Sequence, residues 1–306
     1  MSLIFCNTLN TFKQAGRTLT LIVLICPVMV NCAQDRKKSK KISKDVNFGI
    51  SYNLMHPDKV MKLPHELEEI SGLSYFKDSI VVAVQDELGK LYFYDYNREK
   101  LLDDFSFGND GDYEGVELVG KKIYIVNSGG NIKVMDVNNK DVISIKTKLR
   151  TKNDVEGLTY DAKSHRLILA CKGSPSLNKQ DQKGRSFYAY DLVDQHMDDK
   201  PLFNITNKKI TSFLSAQHYD KKVTEFRPSG IAIHPITRHI YVLAHAGKWL
   251  LKLNESYEII GVSSLKNKIF RQPEGICFTP QGDLLISNEG QGNRGTLLYY
   301  QNPHDN

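Results

Sequence analysis

Three glutamates stand directly before a glycine in copies of one seven-residue motif, and such a set of carboxyl groups could bind a cation. The three copies read Asp112-Tyr-Glu-Gly-Val-Glu-Leu118, Asp154-Val-Glu-Gly-Leu-Thr-Tyr160 and Gln272-Pro-Glu-Gly-Ile-Cys-Phe278. Two further copies, Glu69-Ile-Ser-Gly-Leu-Ser-Tyr75 and Arg227-Pro-Ser-Gly-Ile-Ala-Ile233, carry serine in place of the glutamate. Equivalent positions of repeats that are arranged about one axis lie in one ring. We therefore expect a single ring formed by Ser71, Glu114, Glu156, Ser229 and Glu274.

The chemistry that such a ring favours is the binding of a hard cation. Carboxylates in a narrow channel repel one another unless they are protonated, paired with arginine or bound to a cation. Oxygen ligands of this kind suit Ca²⁺, with waters or backbone carbonyl groups completing the coordination. Glu114, Glu156 and Glu274 are therefore a candidate Ca²⁺ site, and Asn127 and Asn288, which end strand-like segments, are candidate additional oxygen donors.

A structural role for the same glutamates is the competing interpretation, and the pattern favours it over a bound cation. Each could accept backbone N–H groups from the neighbouring repeat and so hold the repeats together. Arginines that stand shortly before two of the motif glycines could neutralise the ring. Polar residues at strand ends and in the glycine-rich segment 288–295 could bind a ligand, as loops on a rigid scaffold often do. The ligand-binding candidates are Asp86, Glu87, His245, Glu289, Arg227 and Arg271.

Two classes of function are compatible with these residues. The first is a binding module that takes a small molecule or a protein partner, with Ca²⁺ in the channel as one version of it. The second is a Ca²⁺-dependent hydrolase of phosphoesters or lactones, which needs the metal and an acid–base partner. The sequence contains no nucleophile-elbow, P-loop, zinc-protease or dinucleotide-binding motif that would name a reaction. Catalysis therefore stays an open question at this stage.

The elements that must position these residues repeat with the motif. The motif glycines are Gly72, Gly115, Gly157, Gly230 and Gly275, so the intervals are 43, 42, 73 and 45 residues. Each glycine opens a strand-like run, which is followed by an apolar strand, a polar loop, an aromatic-rich strand and a more polar strand. Four antiparallel strands at this period predict a β-propeller with five blades.

Two features of the pattern decide how the ring is built. The last repeat ends at Asn306 without room for a fourth strand, and segment 46–63 precedes the first glycine. We expect this segment to complete the last blade, so that strand material from both termini closes the ring. The interval of 73 residues holds either insertions within one blade or a degenerate sixth blade. We count one aromatic-rich strand in it, which favours five blades, with six as the alternative. Residues 46–306 are thus expected to form one domain.

The N-terminal segment is typical of an exported protein. Lys13 and Arg17 precede an apolar run of 13 residues, 18–30, which is too short to span a bilayer but suits a signal peptide. The sequence Met29-Val-Asn-Cys32 resembles a bacterial lipobox, which predicts a signal peptide over 1–32 and lipidation of Cys32. Residues 33–45 are predicted to be a basic, flexible tether. We expect a lipid-anchored protein of the bacterial cell envelope; the alternative is secretion into the periplasm.

Charge and cysteine content limit the partners. The formal net charge of +6 comes from basic residues within the first 44 positions, and the rest of the chain is close to neutral. A nucleic-acid partner is therefore not expected, and we expect a monomer whose contact with the membrane is the lipid anchor. Cys171 and Cys277 lie in apolar segments of different repeats and are expected to fill the core as free thiols.

The ordered set of five motifs resembles the SdiA-regulated (YjiK-like) family. The resemblance runs from about Leu67 to Tyr300 and is carried by the five glycine motifs quoted above. It implies a β-propeller related to NHL-repeat proteins and an exported or membrane-tethered bacterial protein. It implies no particular reaction, because the family has no settled one, and so it supplies no catalytic residue.

Overall fold

The computed structural model describes residues 46–177 and 183–303, and these residues form five antiparallel sheets arranged about one channel. The first two strands of the chain are short: β1, Asn47–Phe48, and β2, Lys59–Lys62. The first blade then follows, with β3 Ile70–Lys77, β4 Ile80–Gln85, β5 Lys90–Asp95 and β6 Lys100–Ser106. The second blade comprises β7 Tyr113–Val119, β8 Lys122–Asn127, β9 Ile132–Asp136 and β10 Val142–Ile145.

The third blade includes the interval of 73 residues between Gly157 and Gly230 and has more elements than the other blades. Its strands are β11 Val155–Asp161, β12 Arg166–Cys171, β13 Arg185–Asp191, β14 His196–Met197 and β15 Phe203–Ile205. Both β14 and β15 pair with β13, so they extend this blade and do not form a sixth one. Helix α1, Asn207–Ala216, follows; Thr206 caps it by accepting the Lys209 N–H at 3.1 Å. The prediction of five blades is confirmed.

The last two blades close the ring. The fourth comprises β16 Gly230–Ile233, β17 Ile240–Ala244, β18 Trp249–Leu253 and β19 Ile259–Ser264, and β1 adds a fifth strand beside β19. The fifth blade has β20 Pro273–Phe278, β21 Leu284–Asn288 and β22 Thr296–Tyr300. Strand β2 completes it, with Lys59 opposite Tyr299 and Lys62 opposite Thr296. Material from both ends of the chain therefore closes the ring, as predicted, and covers an edge that would otherwise be open.

The hydrophobic core is divided into five clusters, one between each pair of neighbouring blades. Strand β4 explains how this arises, because successive side chains of a strand point to opposite faces. Val81 and Ala83 pack towards the fifth blade, whereas Val82 and Val84 pack towards the second. A strand that is covered on both faces must be apolar at nearly every position, which accounts for its Ile-Val-Val-Ala-Val sequence. The outer strand β6 lacks this double cover and is polar and largely exposed.

Two smaller predictions concern the cysteines and the N-terminal segment. Cys171 and Cys277 are buried and free, as expected. The predicted signal peptide, the lipidation site at Cys32 and the basic tether lie outside the described residues. Among the described residues, no helix has the length and apolar character needed to cross a membrane.

Candidate functional site

In four of the five motif copies, a local irregularity turns the residue before the motif glycine out of the strand ladder. In β7, Tyr113 and Gly115 pair with successive residues of β8, so Glu114 between them is left over. The same shift falls at Ser71 in β3 and at Glu156 in β11, and in β20 it spans Glu274. A β-bulge of this kind leaves one residue unpaired and re-aims its side chain.

The five motif glycines and the residues before them line one narrow channel. The channel holds about 10 Å³, which is room for about one water molecule. Its width is set by the glycines: a Cβ on Gly72 would lie 2.8 Å from the Cα of Gly115, and one on Gly157 would lie 3.1 Å from the Cα of Gly230. Only glycine allows the innermost strands to approach this closely. The expected ring about a common axis is confirmed.

Glu156 is paired with a lysine of its own blade. The Nζ of Lys172 donates to Oε1 of Glu156 at 2.8 Å, and the Glu156 side chain is almost wholly buried. Burial raises the pKa of Glu156 above its ordinary value, and Lys172 is the largest influence that holds this pKa down. Lys172 directly follows β12, so the end of the second strand of the blade positions its ammonium group beside the channel.

Glu274 has a histidine as its neighbour. The Nδ1 of His245 lies 3.2 Å from Oε1 of Glu274, and His245 stands just beyond β17 in the preceding blade. Ser229 fixes this junction: its hydroxyl donates to the carbonyl of Pro273 at 2.7 Å and accepts the His245 N–H at 3.2 Å. The pair therefore joins the fourth and fifth blades, and it is an ion pair whenever His245 is protonated.

Glu114 has no cationic partner among the described residues. Burial raises its pKa far above the ordinary value, and the neighbouring Glu156 and Asp112 add to that rise. A carboxyl group in this position becomes easier to ionise when a positive charge is brought close to it. Glu114 is therefore the member of the ring that the protein itself leaves without a counter-charge.

One end of the channel is surrounded by a second circle of polar residues. In the first blade the Asp86 N–H donates to the carbonyl of Glu69, and in the fifth blade the Glu289 N–H donates to Gln272. Corresponding bonds join Ser128 to Asp112 and Lys172 to Asp154. In four of the five blades the residue after the second strand thus bonds to the residue three before the motif glycine; in the fourth blade the His245 N–H donates to the hydroxyl of Ser229 instead. This circle forms the entrance of the channel.

The carboxyl groups of the entrance are concentrated on the side of the fifth, first and second blades. Burial and neighbouring acidic groups raise the pKa of Asp86 to about 6 and that of Glu289 to about 7. The Oδ1 atom of Asp86 is buried and has no hydrogen-bond partner. We call this set of residues the acidic entrance; it consists of Glu69, Asp86, Asp112, Glu114 and Glu289.

Deeper in the channel wall lies a further carboxyl group, that of Glu117. Burial raises the pKa of Glu117 to about 8, while a hydrogen bond from Ser74, at 3.5 Å, opposes this. Cys277 of the fifth blade is close enough that the Glu117 charge raises the pKa of its thiol. Each of these residues stands two positions after a motif glycine, so the ring of serine and glutamate has a second layer beneath it.

The remaining sequence candidates lie away from the channel. Asn127 accepts the Asn131 N–H at 3.0 Å within a turn, and Asn288 donates to the carbonyl of Ile269 and to Thr296. Arg227 pairs with Glu225 at 3.3 Å, and Arg271 is exposed. Neither arginine forms an ion pair with a channel glutamate, because Lys172 and His245 occupy that role.

Glu87 is exposed beside Asp86 and faces a surface cavity of about 610 Å³. No group of three or more His, Cys, Asp or Glu side chains in 46–177 and 183–303 is arranged to hold a metal ion. The sequence did not identify Lys172 or Asp112 as site residues. Lys172 directly follows the second strand of the third blade, as His245 directly follows the second strand of the fourth. A comparison of the residue after every second strand would have identified Lys172.

Comparison with solved structures finds chains that are similar to most of this one at low sequence identity. The crystal structure of Myxococcus xanthus glutaminyl cyclase is similar over 80% of this chain and 95% of its own, with 11% identity and a TM-score of 0.53. Streptogramin B lyase covers 79% of this chain and 97% of its own at 11% identity and a TM-score of 0.46. A nidogen/laminin complex covers 72% of each chain at 12% identity and a TM-score of 0.47.

No curated protein matches the chain in sequence. The sequence profile of the SdiA-regulated family, in contrast, matches residues 56–293, which include all five motif glycines. The match extends over most of the propeller, from before its first blade into the last loop of the fifth. The chain belongs to the SdiA-regulated family of β-propeller proteins.

Proposed function

We propose that this protein is a binding module that takes a positively charged ligand at the acidic entrance of its channel. The observation that carries the proposal is the unequal pairing of the carboxyl groups. Glu156 and Glu274 have Lys172 and His245 beside them, whereas Glu114 forms no ion pair with any cation in the part of the chain that the structure describes. A cationic ligand would supply the missing charge and lower the raised pKa of Glu114.

The ligand is either Ca²⁺ or an organic amine, because both present positive charge to oxygen acceptors. Ca²⁺ would take carboxylate, carbonyl and water oxygens, and the narrow channel has room for about one such ion or water. An amine would instead donate hydrogen bonds to several carboxylates of the wider entrance. Experiment distinguishes the two ligands. A chelator would remove Ca²⁺ from the protein, whereas it would leave a bound amine in place.

The test is calorimetric titration of the purified full chain with CaCl₂ and, separately, with putrescine. We expect one of the two to bind, and the Glu114→Gln variant to lose that binding at least about tenfold. Lys121→Gln, an exposed change of one charge in a hairpin on the second blade, is the matched control and should bind as the parent does. Absence of binding by both cations, or equal binding by Glu114→Gln, would overturn the proposal.

The setting that we propose for this module is the bacterial cell envelope, as a monomer anchored by a lipid on Cys32. The apolar run 18–30 and the lipobox-like Met29-Val-Asn-Cys32 support it. Replacing Cys32 by serine should release the protein from the membrane fraction of a host that processes lipoproteins. Retention of the variant in that fraction would contradict lipid anchoring.

A Ca²⁺-dependent hydrolase with its site at the channel glutamates is the second candidate. The contact between His245 and Glu274 favours it, because a histidine held by a carboxylate at a channel entrance has the arrangement of a general base. The candidate predicts that the purified protein contains Ca²⁺ and hydrolyses a generic phosphoester or lactone. It also predicts that Glu156→Gln abolishes turnover while the fold persists. A metal-free preparation, measured by mass spectrometry, would exclude it.

A further inference from the structure

A second cavity, with the opposite charge, lies on the fifth blade outside the channel. It has a volume of about 510 Å³ and lies between β2, the segment before β20 and the loop that joins β21 to β22. We call it the basic cavity. Its charged lining residues are Lys62, Lys268, Arg271, Arg294 and Glu289.

The four cations of the basic cavity are not neutralised by the protein. Among the described residues, none of the four forms an ion pair with a carboxylate, although Lys59, near the cavity on β2, pairs with Glu99 at 3.1 Å. The one carboxyl of the cavity, Glu289, is held by the side chain of Gln272. The cavity thus presents four positive charges against one negative charge, which favours an anionic ligand.

The loop that carries Arg294 is held in a fixed conformation. The Nε of Arg294 donates to the carbonyl of Leu63 at 2.7 Å, which anchors its guanidinium group at the edge of the cavity. The Asn293 N–H donates to the carbonyl of Gly290, and a Cβ on Gly290 would lie 1.8 Å from the Asn293 carbonyl oxygen. Only glycine fits at this position. A loop held in this way loses little conformational entropy when a ligand binds.

The wall of the cavity also contains polar and apolar groups. Asn288 is 2% exposed, and its Oδ1 is a buried acceptor without a hydrogen-bond partner. A buried acceptor left unpaired is costly, so a reorientation of this amide towards a donor in the cavity would be stabilising. Val60, which is 57% exposed, and Ile269 and Leu298 supply an apolar surface beside it.

We propose that the basic cavity binds a phosphorylated sugar. The phosphate would accept hydrogen bonds from Arg271 and Arg294, whose planar guanidinium groups match phosphate geometry. Hydroxyl groups of the sugar are donors suited to the amide oxygen of Asn288, and the C–H face of the ring packs against Val60 and Ile269. The ligand is an anion, unlike that of the acidic entrance. The two sites share Glu289 at their border, but the four cations of the basic cavity take no part in the acidic entrance, so neither proposal depends on the other.

The test is calorimetric titration of the full chain with glucose 6-phosphate, with glucose and with inorganic phosphate. We expect glucose 6-phosphate to bind more tightly than either of the other two. The Arg271→Gln/Arg294→Gln variant should lose at least about tenfold in affinity. A variant with the same change in charge at exposed lysines of the second blade, Lys121→Gln/Lys146→Gln, should bind as the parent does.

Two further variants keep the result interpretable. Lys62→Gln/Lys268→Gln removes the other two cations without touching the anchored Arg294, and it should also weaken binding. Glu114→Gln, which disables the acidic entrance, should leave the binding of glucose 6-phosphate unchanged. The proposal is overturned if none of the three compounds binds. It is equally overturned if phosphate alone binds as tightly as the sugar phosphate, or if the arginine and lysine variants bind like the parent.

Discussion

The two sides of the channel entrance use the same kind of residue in opposite ways. On one side, which we call the paired side, Glu156 and Glu274 have Lys172 and His245 within 2.8 and 3.2 Å. On the other, the unpaired side, Glu114, Asp86 and Glu289 lie among further carboxyl groups, and their pKa values are raised. Buried carboxyl groups with a cationic partner hold the blades in place, whereas buried carboxyl groups without one cost stability and are available to a ligand.

The two sides should differ in how mutation changes stability. Removing a cation from the paired side should destabilise the fold, since it leaves a buried carboxylate without its counter-charge. Removing a carboxylate from the unpaired side should stabilise the fold, since it relieves repulsion and desolvation. Free energies of unfolding of matched variants therefore assign each residue to a structural or a binding role.

The largest effect is expected from Lys172→Met. The change leaves Glu156, which is 5% exposed, without its counter-charge. Because Lys172 itself is partly exposed, we expect a loss of about 2 kcal/mol in the free energy of unfolding, below the full value for a buried pair. Urea denaturation measures it. The double variant Lys172→Met/Glu156→Gln should recover part of the loss. An unchanged urea midpoint in Lys172→Met would contradict the structural role of the Lys172–Glu156 pair.

A pH dependence is the next effect in size. The pKa of Asp86 is raised to about 6 and that of Glu289 to about 7 in the folded protein. The folded state therefore binds more protons than the unfolded state between about pH 4 and pH 7, and stability falls as the pH rises through that window. With a discount for partial exposure, Asp86→Asn/Glu289→Gln should be about 1 kcal/mol more stable than the parent at pH 8.

The control for this prediction is the same pair of measurements at pH 4, where the parent and the double variant should have nearly equal stability. Thermal unfolding across the pH range is sufficient to see the divergence. A double variant that is less stable than the parent at pH 8 would place these two carboxyl groups with the structural ones.

The smallest effect is expected from His245→Gln. The histidine is partly exposed and 3.2 Å from Glu274, and glutamine can still donate a hydrogen bond to that carboxylate. We expect a loss of about 0.5 kcal/mol, in the range for exposed pairs. High salt should reduce the difference, because screening weakens an exposed pair. A loss as large as that of Lys172→Met would show that the two pairs are not graded by exposure.

Much of this arrangement could be predicted from the repeats. The motif glycines predicted the ring because a position occupied by Gly72, Gly115 and their equivalents must meet a close neighbour in every copy. The truncated last repeat predicted that β2 would complete the fifth blade. Both features follow from the spacing of the motifs along the sequence, and predicting them does not require the direction of any side chain.

The partners of the glutamates could not be predicted in the same way, because they depend on which face of a strand each side chain occupies. Ser287 accepts the Gly275 N–H at 2.9 Å through its side chain, so the next residue, Asn288, points to the other face and away from the channel. Arg227 found a partner in Glu225, two residues before it. The position of Lys172 follows only once the end of β12 and the bulge at Glu156 are known.

The most direct test of the account is the Glu114→Gln variant, measured for both stability and cation binding. The account predicts a free energy of unfolding at pH 8 equal to or above that of the parent, together with the loss of binding to whichever of Ca²⁺ and putrescine binds the parent. A variant that is less stable than the parent and still binds the cation would contradict it.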